Sequence, residues 1–82
     1  MAQTATVVEV RKLPRSGTVF FWILLRDSAT NGLQVVVGDP WTQVDVAYAK
    51  KDQKVSYALV NGCRSIETFN ILWSESPAPD KG

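Results

Sequence analysis

Aromatic and basic side chains are concentrated in the first third of the chain. Phe20 and Trp22 lie two residues apart in a run of aromatic and branched residues, and Arg11, Lys12 and Arg15 precede that run. Aromatic rings stack on nucleic-acid bases, and guanidinium and ammonium groups contact phosphates. This combination points to non-covalent binding, either of a single-stranded nucleic acid or of a protein partner.

The common catalytic and metal-binding residue sets are missing. The 82 residues include no histidine and a single cysteine, Cys63. The usual zinc sites and Ser-His or Cys-His nucleophile pairs need those side chains, and no glycine-rich phosphate-binding motif replaces them. We therefore expect a non-enzymatic protein without a cofactor or a metal site.

The longest apolar run of the sequence, residues 19–25, lies within Thr18–Asp27. It is far shorter than the ~20 residues of a membrane helix, and its aromatic and branched side chains predict a β-strand. Side chains alternate in a strand. One face then carries Val19, Phe21, Ile23 and Leu25, and the other carries Phe20, Trp22, Leu24 and Arg26. We expect the first set in the core and the second set outside it.

The remaining sequence predicts four further strands in a single domain over residues 1–73. These strands are expected at 4–13, 33–38, 54–60 and 64–73, with turns at Asn-Gly pairs. Residues 74–82 hold two prolines and no large apolar side chain, which predicts a disordered C-terminal tail.

Residues 39–52 allow two interpretations. Asp39 followed by Pro40 is a favourable helix start. Four apolar residues at helical spacing then share one face: Trp41, Val44, Ala47 and Tyr48. Residues 44–48 also alternate as in a strand. We favour one short helix at about 41–50, with Trp41 packing it against the end of the barrel.

The order of elements, β-β-β-α-β-β, predicts an all-β fold. It is that of a five-stranded OB-type Greek-key barrel with one short helix between strands 3 and 4. An SH3-like small barrel is the alternative, which a strand within residues 39–52 would favour. OB barrels bind oligonucleotides or oligosaccharides on the face of strands two and three and in the flanking loops.

Several sequence elements occur in a family-specific order. They are Arg11-Lys12 ending the first strand, the turn glycine Gly17, Leu25-Arg26-Asp27 ending the aromatic strand, and Gln34-Val35-Val36 in the third strand. Residues 7–27 and 33–37 thereby resemble the OB-fold anticodon-binding domain of class II aminoacyl-tRNA synthetases of the aspartyl, asparaginyl and lysyl group. The resemblance covers the binding domain alone. It implies that Trp22 stacks on a base and that Gln34 contacts one.

The same resemblance implies that Arg11, Lys12 or Arg15 contacts the nucleic-acid backbone. Alternation also places Gln34 outside beside Trp22, because we expect Leu33 and Val35 to face inward. Phe20 could extend the aromatic platform.

Two further arginines complete the candidate binding set. Arg64 lies in the loop between strands four and five, a usual contact loop of OB barrels. Arg26 is also a candidate, although Arg26-Asp27 closing a strand is more often a structural ion pair or turn device.

A second hypothesis uses the same outward side chains. Phe20, Trp22 and Leu24 could form an apolar seam to another protein or to a second copy of the chain. The net charge of +1 gives no polyanion-binding signature by itself. The absence of a signal peptide at the start of this sequence leads us to expect a cytoplasmic protein that does not bind membranes.

Overall fold

The computed structural model describes residues 2–15 and 17–77 of the chain. Five strands make up most of it: β1 (Gln3–Arg15), β2 (Thr18–Asp27), β3 (Leu33–Gly38), β4 (Lys54–Leu59) and β5 (Ile66–Ile71). Two short 3-10 helices occupy Val44–Tyr48 and Trp73–Glu75. The all-β class is confirmed, and β2 and β3 have the predicted bounds.

The strands form one antiparallel sheet in the order β3-β2-β1-β4-β5. A register shift between Val7 and Glu9 marks a bulge in β1, which helps this long strand to bend from β4 to β2. The outer strands β3 and β5 meet at an isolated parallel bridge between Val37 and Ser65. This bridge is not continued as a ladder, so the sheet is not closed.

A single hydrophobic core is filled from all five strands. In β2 the burial alternates residue by residue, as a strand with one face in the core requires. The core consists of Ala5, Val7, Phe21, Ile23, Leu25, Val36, Val46, Ala49, Val55, Tyr57, Ile66, Phe69 and Ile71. The inward set predicted for β2 is confirmed except for Val19, which is 40% exposed near the start of the strand.

The segment between β3 and β4 forms a 3-10 helix shorter than the helix predicted for 41–50. Its position is fixed by two side chains that reach β5. Gln43 Oε1 accepts a hydrogen bond from the Phe69 N–H at 3.1 Å, and Asp45 Oδ2 accepts one from the Ile71 N–H at 2.8 Å. These side chains satisfy donors on the edge of β5 that faces away from β4.

This attachment turns the predicted apolar face of the segment toward solvent. Trp41, Val44 and Tyr48 are 85%, 64% and 57% exposed. Val46 and Ala49 are buried instead. The expectation that Trp41 packs against the end of the barrel is therefore wrong, because the contacts with β5 rotate the segment.

The folded chain continues beyond the predicted domain end at residue 73. The Leu72 N–H donates to the Lys54 carbonyl at 2.8 Å, and Ser76 Oγ accepts from the Lys54 N–H at 2.9 Å. Residues 74–76 of the predicted tail are thus attached to β4, because Ser76 satisfies the first donor of that strand. Residues 78–82 lie outside the described residues.

Removing the Asp45 carboxylate should destabilise the protein through the Ile71 N–H. We expect Asp45→Ala to lower the free energy of unfolding by about 1–2 kcal/mol, because it leaves a partly buried donor without its charged acceptor. Urea unfolding measures this. Glu67→Ala is the matched control, since it removes the same charge from an exposed position on β5. Equal effects of the two substitutions would show that the hydrogen bond contributes nothing.

Candidate binding face of the sheet

The outer face is defined here as the side of β1, β2 and β3 that carries Phe20, Trp22 and Leu24. All three side chains are partly exposed, and they alternate with buried core residues. The prediction that β2 divides into an inner and an outer row is confirmed for these residues. The aromatic pair is therefore accessible on a rigid strand with neighbours on both sides.

Trp22 lies in the middle of the outer face. Its cross-strand partners are Arg11 on β1 and Val37 on β3. The Arg11 guanidinium carbon lies 5.0 Å from the centroid of the Trp22 ring, within the range of cation–π attraction. Arg11 also forms an ion pair with Glu9 on the same face of β1. The ring is thus held beside a positive charge that is already partly neutralised.

Gln34 points to the opposite side of the sheet from Trp22, which corrects its predicted position. It is paired with Leu25, whereas Val35 is paired with Leu24. Cross-strand partners share a face, so Gln34 points inward and Val35 outward. Gln34 Oε1 lies 3.2 Å from the hydroxyl oxygen of Tyr57. It is not positioned beside a base stacked on Trp22.

The turn between β2 and β3 held a signal for this orientation. The Asp27 N–H donates to the Gly32 carbonyl at 2.9 Å. Asp27 and Gly32 therefore close the hairpin, and residues 28–31 form a four-residue loop between them. A loop with an even number of residues places odd-numbered residues of β2 opposite even-numbered residues of β3. A two-residue Asn31-Gly32 turn gives the same parity, so the turn signal alone places Gln34 on the same face as the odd-numbered core residues of β2.

The predicted basic patch is divided between the two sides of β1. Arg11 is paired with Trp22, but Lys12 is paired with Phe21, and its Nζ lies 6.0 Å from the centroid of the Phe21 ring. Adjacent residues of a strand point in opposite directions. Lys12 therefore does not flank Trp22. The side chain of Arg15 lies outside the described part of the chain.

Arg26 and Arg64 lie at the margins of the outer face. Arg26 Nη1 donates to the Asn31 carbonyl at 3.0 Å, which supports the turn after β2. Arg26 and Asp27 do not pair with each other, because Asp27 points inward; both bond within the turn, which is the turn role expected as the other structural possibility. Arg64 is exposed in the turn between β4 and β5, and its carbonyl accepts from the N–H of Val37 at 3.0 Å.

Sequence reasoning missed the apolar neighbours of the aromatic residues. Val35 and Val37 lie opposite Leu24 and Trp22 on β3. Leu13 and Leu33 add two exposed apolar side chains at 37% and 56% exposure. The strand register, not composition, brings these residues together.

A narrow groove extends the outer face at its Phe20 end. It has a volume of about 90 Å³ and passes between Val37, Thr42 and Ser65. The outer face thus presents aromatic and aliphatic side chains with few charges.

A buried carboxylate, that of Asp27, lies on the inner side of the sheet at the end of β2. Asp27 accepts hydrogen bonds from the amides of Ala29 and Thr30 at 2.9 and 3.1 Å and from the Tyr57 hydroxyl at 3.0 Å. The Thr30 amide and then the Tyr57 hydroxyl lower the pKa of Asp27 below its ordinary value. Burial, followed by the bond to Asp27, raises the pKa of Tyr57 to about 12.

Known proteins give no assignment for this chain, because no protein-family model, curated protein or solved structure matches it significantly. Among residues 2–15 and 17–77, no group of three or more His, Cys, Asp or Glu residues could hold a metal ion. No helix in that part is long and apolar enough to cross a membrane.

The Asp27–Tyr57 pair predicts a loss of stability at both ends of the pH range. Asp27 has a lowered pKa in the folded state, so its contribution is present above the ordinary value of 3.8 and is lost as the pH falls through the folded value. Tyr57 has a raised pKa, so its contribution is present below 10.0 and is lost as the pH rises toward about 12.

Urea unfolding at a series of pH values measures both losses. We expect Asp27→Asn to flatten the acid side and Tyr57→Phe to flatten the alkaline side. The difference in tyrosinate absorbance between the parent and Tyr57→Phe isolates the ionisation of Tyr57. An ionisation centred near its ordinary pKa of 10.0 would contradict the buried hydrogen bond.

Proposed function

We propose that this chain is an OB-type domain that binds single-stranded DNA or RNA, without catalysis, on its outer face. Three features support the fold assignment: the strand order, the parallel contact between β3 and β5, and a 3-10 helix instead of a strand between β3 and β4. OB barrels are five-stranded and partly open, and they bind ligands on the face of their second and third strands. The helical segment argues against the SH3-like alternative.

The observation that carries the functional proposal is the Arg11–Trp22 pair. An aromatic ring on a strand is a platform for a base, and each such stack contributes about 1–3 kcal/mol. The guanidinium lies over the ring, 5.0 Å from its centroid, and we expect it to contact the phosphate next to a base that stacks on Trp22. Phe20 continues the aromatic row toward the groove at Val37 and Thr42, which gives a path for the next nucleotide.

The low charge of the outer face sets the expected salt dependence. Each phosphate neutralised contributes about −0.7 to the slope of log K against log salt for a single strand. With Arg11 paired to Glu9, and Arg26 and Arg64 at the margins, we expect a slope of about −1 to −2. Stacking therefore has to supply most of the affinity.

Fluorescence of Trp22 tests the platform directly. Trp41→Phe and Trp73→Phe together leave Trp22 as the only tryptophan. Titration with short single-stranded oligonucleotides at low salt should then quench its emission. In the otherwise unchanged chain, Trp22→Ala should weaken binding by about 1–3 kcal/mol, roughly 5- to 150-fold, measured with a labelled oligonucleotide.

Trp41→Ala is the matched control, because Trp41 is 85% exposed and lies in the segment between β3 and β4 rather than on the outer face. It should bind as the parent does. Circular dichroism of the Trp22→Ala and Trp41→Ala variants checks that both are folded. If folded Trp22→Ala binds as tightly as the parent, the platform mechanism is wrong.

A protein partner is the second candidate, and the apolar side chains around Trp22 favour it. Leu24, Val35 and Leu33 have no role in contacting phosphate, and contiguous apolar surface usually marks a protein contact. Phe20, Trp22 and Leu24 would then form the seam.

Two substitutions on the outer face distinguish these functions. Leu24→Gln should leave oligonucleotide affinity nearly unchanged, whereas Arg11→Gln should weaken it and reduce the steepness of the salt slope by about 0.7. If the apolar seam binds a protein instead, Leu24→Gln should weaken binding of that protein more than Arg11→Gln does. The oligonucleotide titration and a pull-down with the two variants separate these outcomes.

A further inference from the structure

The edge of β3 is open beside Leu33 and Val35. The Val37 N–H donates to the Arg64 carbonyl on the side of β3 that faces away from β2. Backbone groups two residues apart in a strand point the same way, so those of Leu33 and Val35 also face that side. Within residues 2–15 and 17–77, their N–H and C=O groups have no hydrogen-bond partner there.

Grooves run along this open stretch. One of about 320 Å³ separates Gln34 from the turn between β4 and β5, and one of about 430 Å³ lies between Leu33 and the start of β1. Both grooves are lined by Gln3 and Gln34. Another strand can therefore approach the edge without displacing the core.

The other edges of the sheet are protected, and β3 is not. The edge of β5 is covered by side chains from the segment between β3 and β4. The half of β1 beyond its pairing with β4 carries Arg11, Lys12 and Pro14, and charges and prolines block strand pairing at natural edges. Leu33–Gly38 has no charged residue and no proline. Such an uncharged, valine-rich edge pairs readily with another chain.

We propose that β3 pairs antiparallel with β3 of a second copy about a twofold axis at Gln34. In this register Gln34 faces Gln34 of the second copy, and Leu33 and Val35 face Val35 and Leu33. The open N–H and C=O groups bond to one another at both flanking pairs. The bond from Val37 to Arg64 stays intact. Because the contact uses the same patch on both copies, it closes as a dimer.

The second copy suits this edge because the side chains match. On the outer face, each row runs from Leu24 through Val35 to Leu33 and Arg26 of the second copy. Apolar side chains therefore meet apolar side chains. The two Arg26 side chains are three strand spacings apart across the sheet, about 14 Å, and two residues apart along the strands, so their separation exceeds the Debye length of about 10 Å at 0.1 M salt. The net charge of +1 adds little repulsion.

The dimer is independent of the proposed nucleic-acid function and is tested without oligonucleotide. It would join the outer faces of two copies in one continuous sheet. Two platforms held this way would raise the avidity for a strand long enough to reach both.

Light scattering over a wide concentration range tests the dimer. The parent should pass from monomer to dimer, and Val35→Lys should raise the dimer dissociation constant roughly ten-fold or more by placing a charge at the pairing edge. Thr68→Lys is the control, because it adds the same charge on β5 and should dimerise as the parent does. A parent that stays monomeric, or a dimer that Val35→Lys leaves unchanged, overturns the proposal.

Two measurements remain decisive if Val35→Lys does not fold. The Leu33 and Val35 amides of the parent should become protected from hydrogen exchange as its concentration rises. In a Cys63→Ser background, Gln34→Cys should oxidise to a disulfide-linked dimer. The Cα atoms of residue 34 in the two copies would lie about 4.5 Å apart, which a disulfide can span. Thr68→Cys in the same background should not form a linked dimer. Pairing with a second copy is contradicted if the Leu33 and Val35 amides stay unprotected, or if the Gln34→Cys variant does not form the linked dimer. It is also contradicted if the edge of β3 binds an unrelated extended peptide but not a second copy.

Discussion

The pairing of β2 on both sides fixes the orientation of every side chain on the outer face. β2 lies between β3 and β1, and its inward residues Phe21, Ile23 and Leu25 are buried in the core. A shift of one residue in either register would exchange the inner and outer rows and expose the core. The position of Trp22 is therefore a consequence of core packing. An exposed aromatic side chain held in this way loses little further freedom when it binds a ligand.

The sequence predicted structure best where a single local feature, such as apolar alternation or a turn signal, decides the conformation. The bounds of β2 and β3 and the alternation of β2 followed from local composition and from turns. The orientation of β3 did not follow from its own composition, because it contains three successive valines and gives no polarity contrast around Gln34. Its faces are set by the loop that joins it to β2. Arg11 and Lys12 were grouped by sequence proximity, although neighbouring residues in a strand face opposite sides.

The segment between β3 and β4 shows why the face of its helix that was expected to be buried is exposed instead. Its apolar spacing favours a helix with Trp41, Val44 and Tyr48 buried, but the side chains of Gln43 and Asp45 bond to the edge of β5. Those partners lie 26 residues away in sequence. Since a buried strand edge needs acceptors for its N–H groups, this distant requirement overrides the local periodicity. The sequence of residues 39–52 by itself does not show that Gln43 and Asp45 are needed as acceptors for the edge of β5.

The charge distribution limits the kind of ligand that the outer face can accept. Arg11 is partly neutralised by Glu9, and Lys12 points to the other side. A duplex presents mainly its phosphates to a flat surface, and binding it depends on many cations. The outer face instead offers Trp22 and Phe20 surrounded by leucine and valine. Such a surface gains binding energy from ligands whose own flat or apolar groups are uncovered, as the bases of a single strand are. The scarcity of charge on this face is thus compatible with unpaired bases or with an apolar protein segment, and it argues against a duplex.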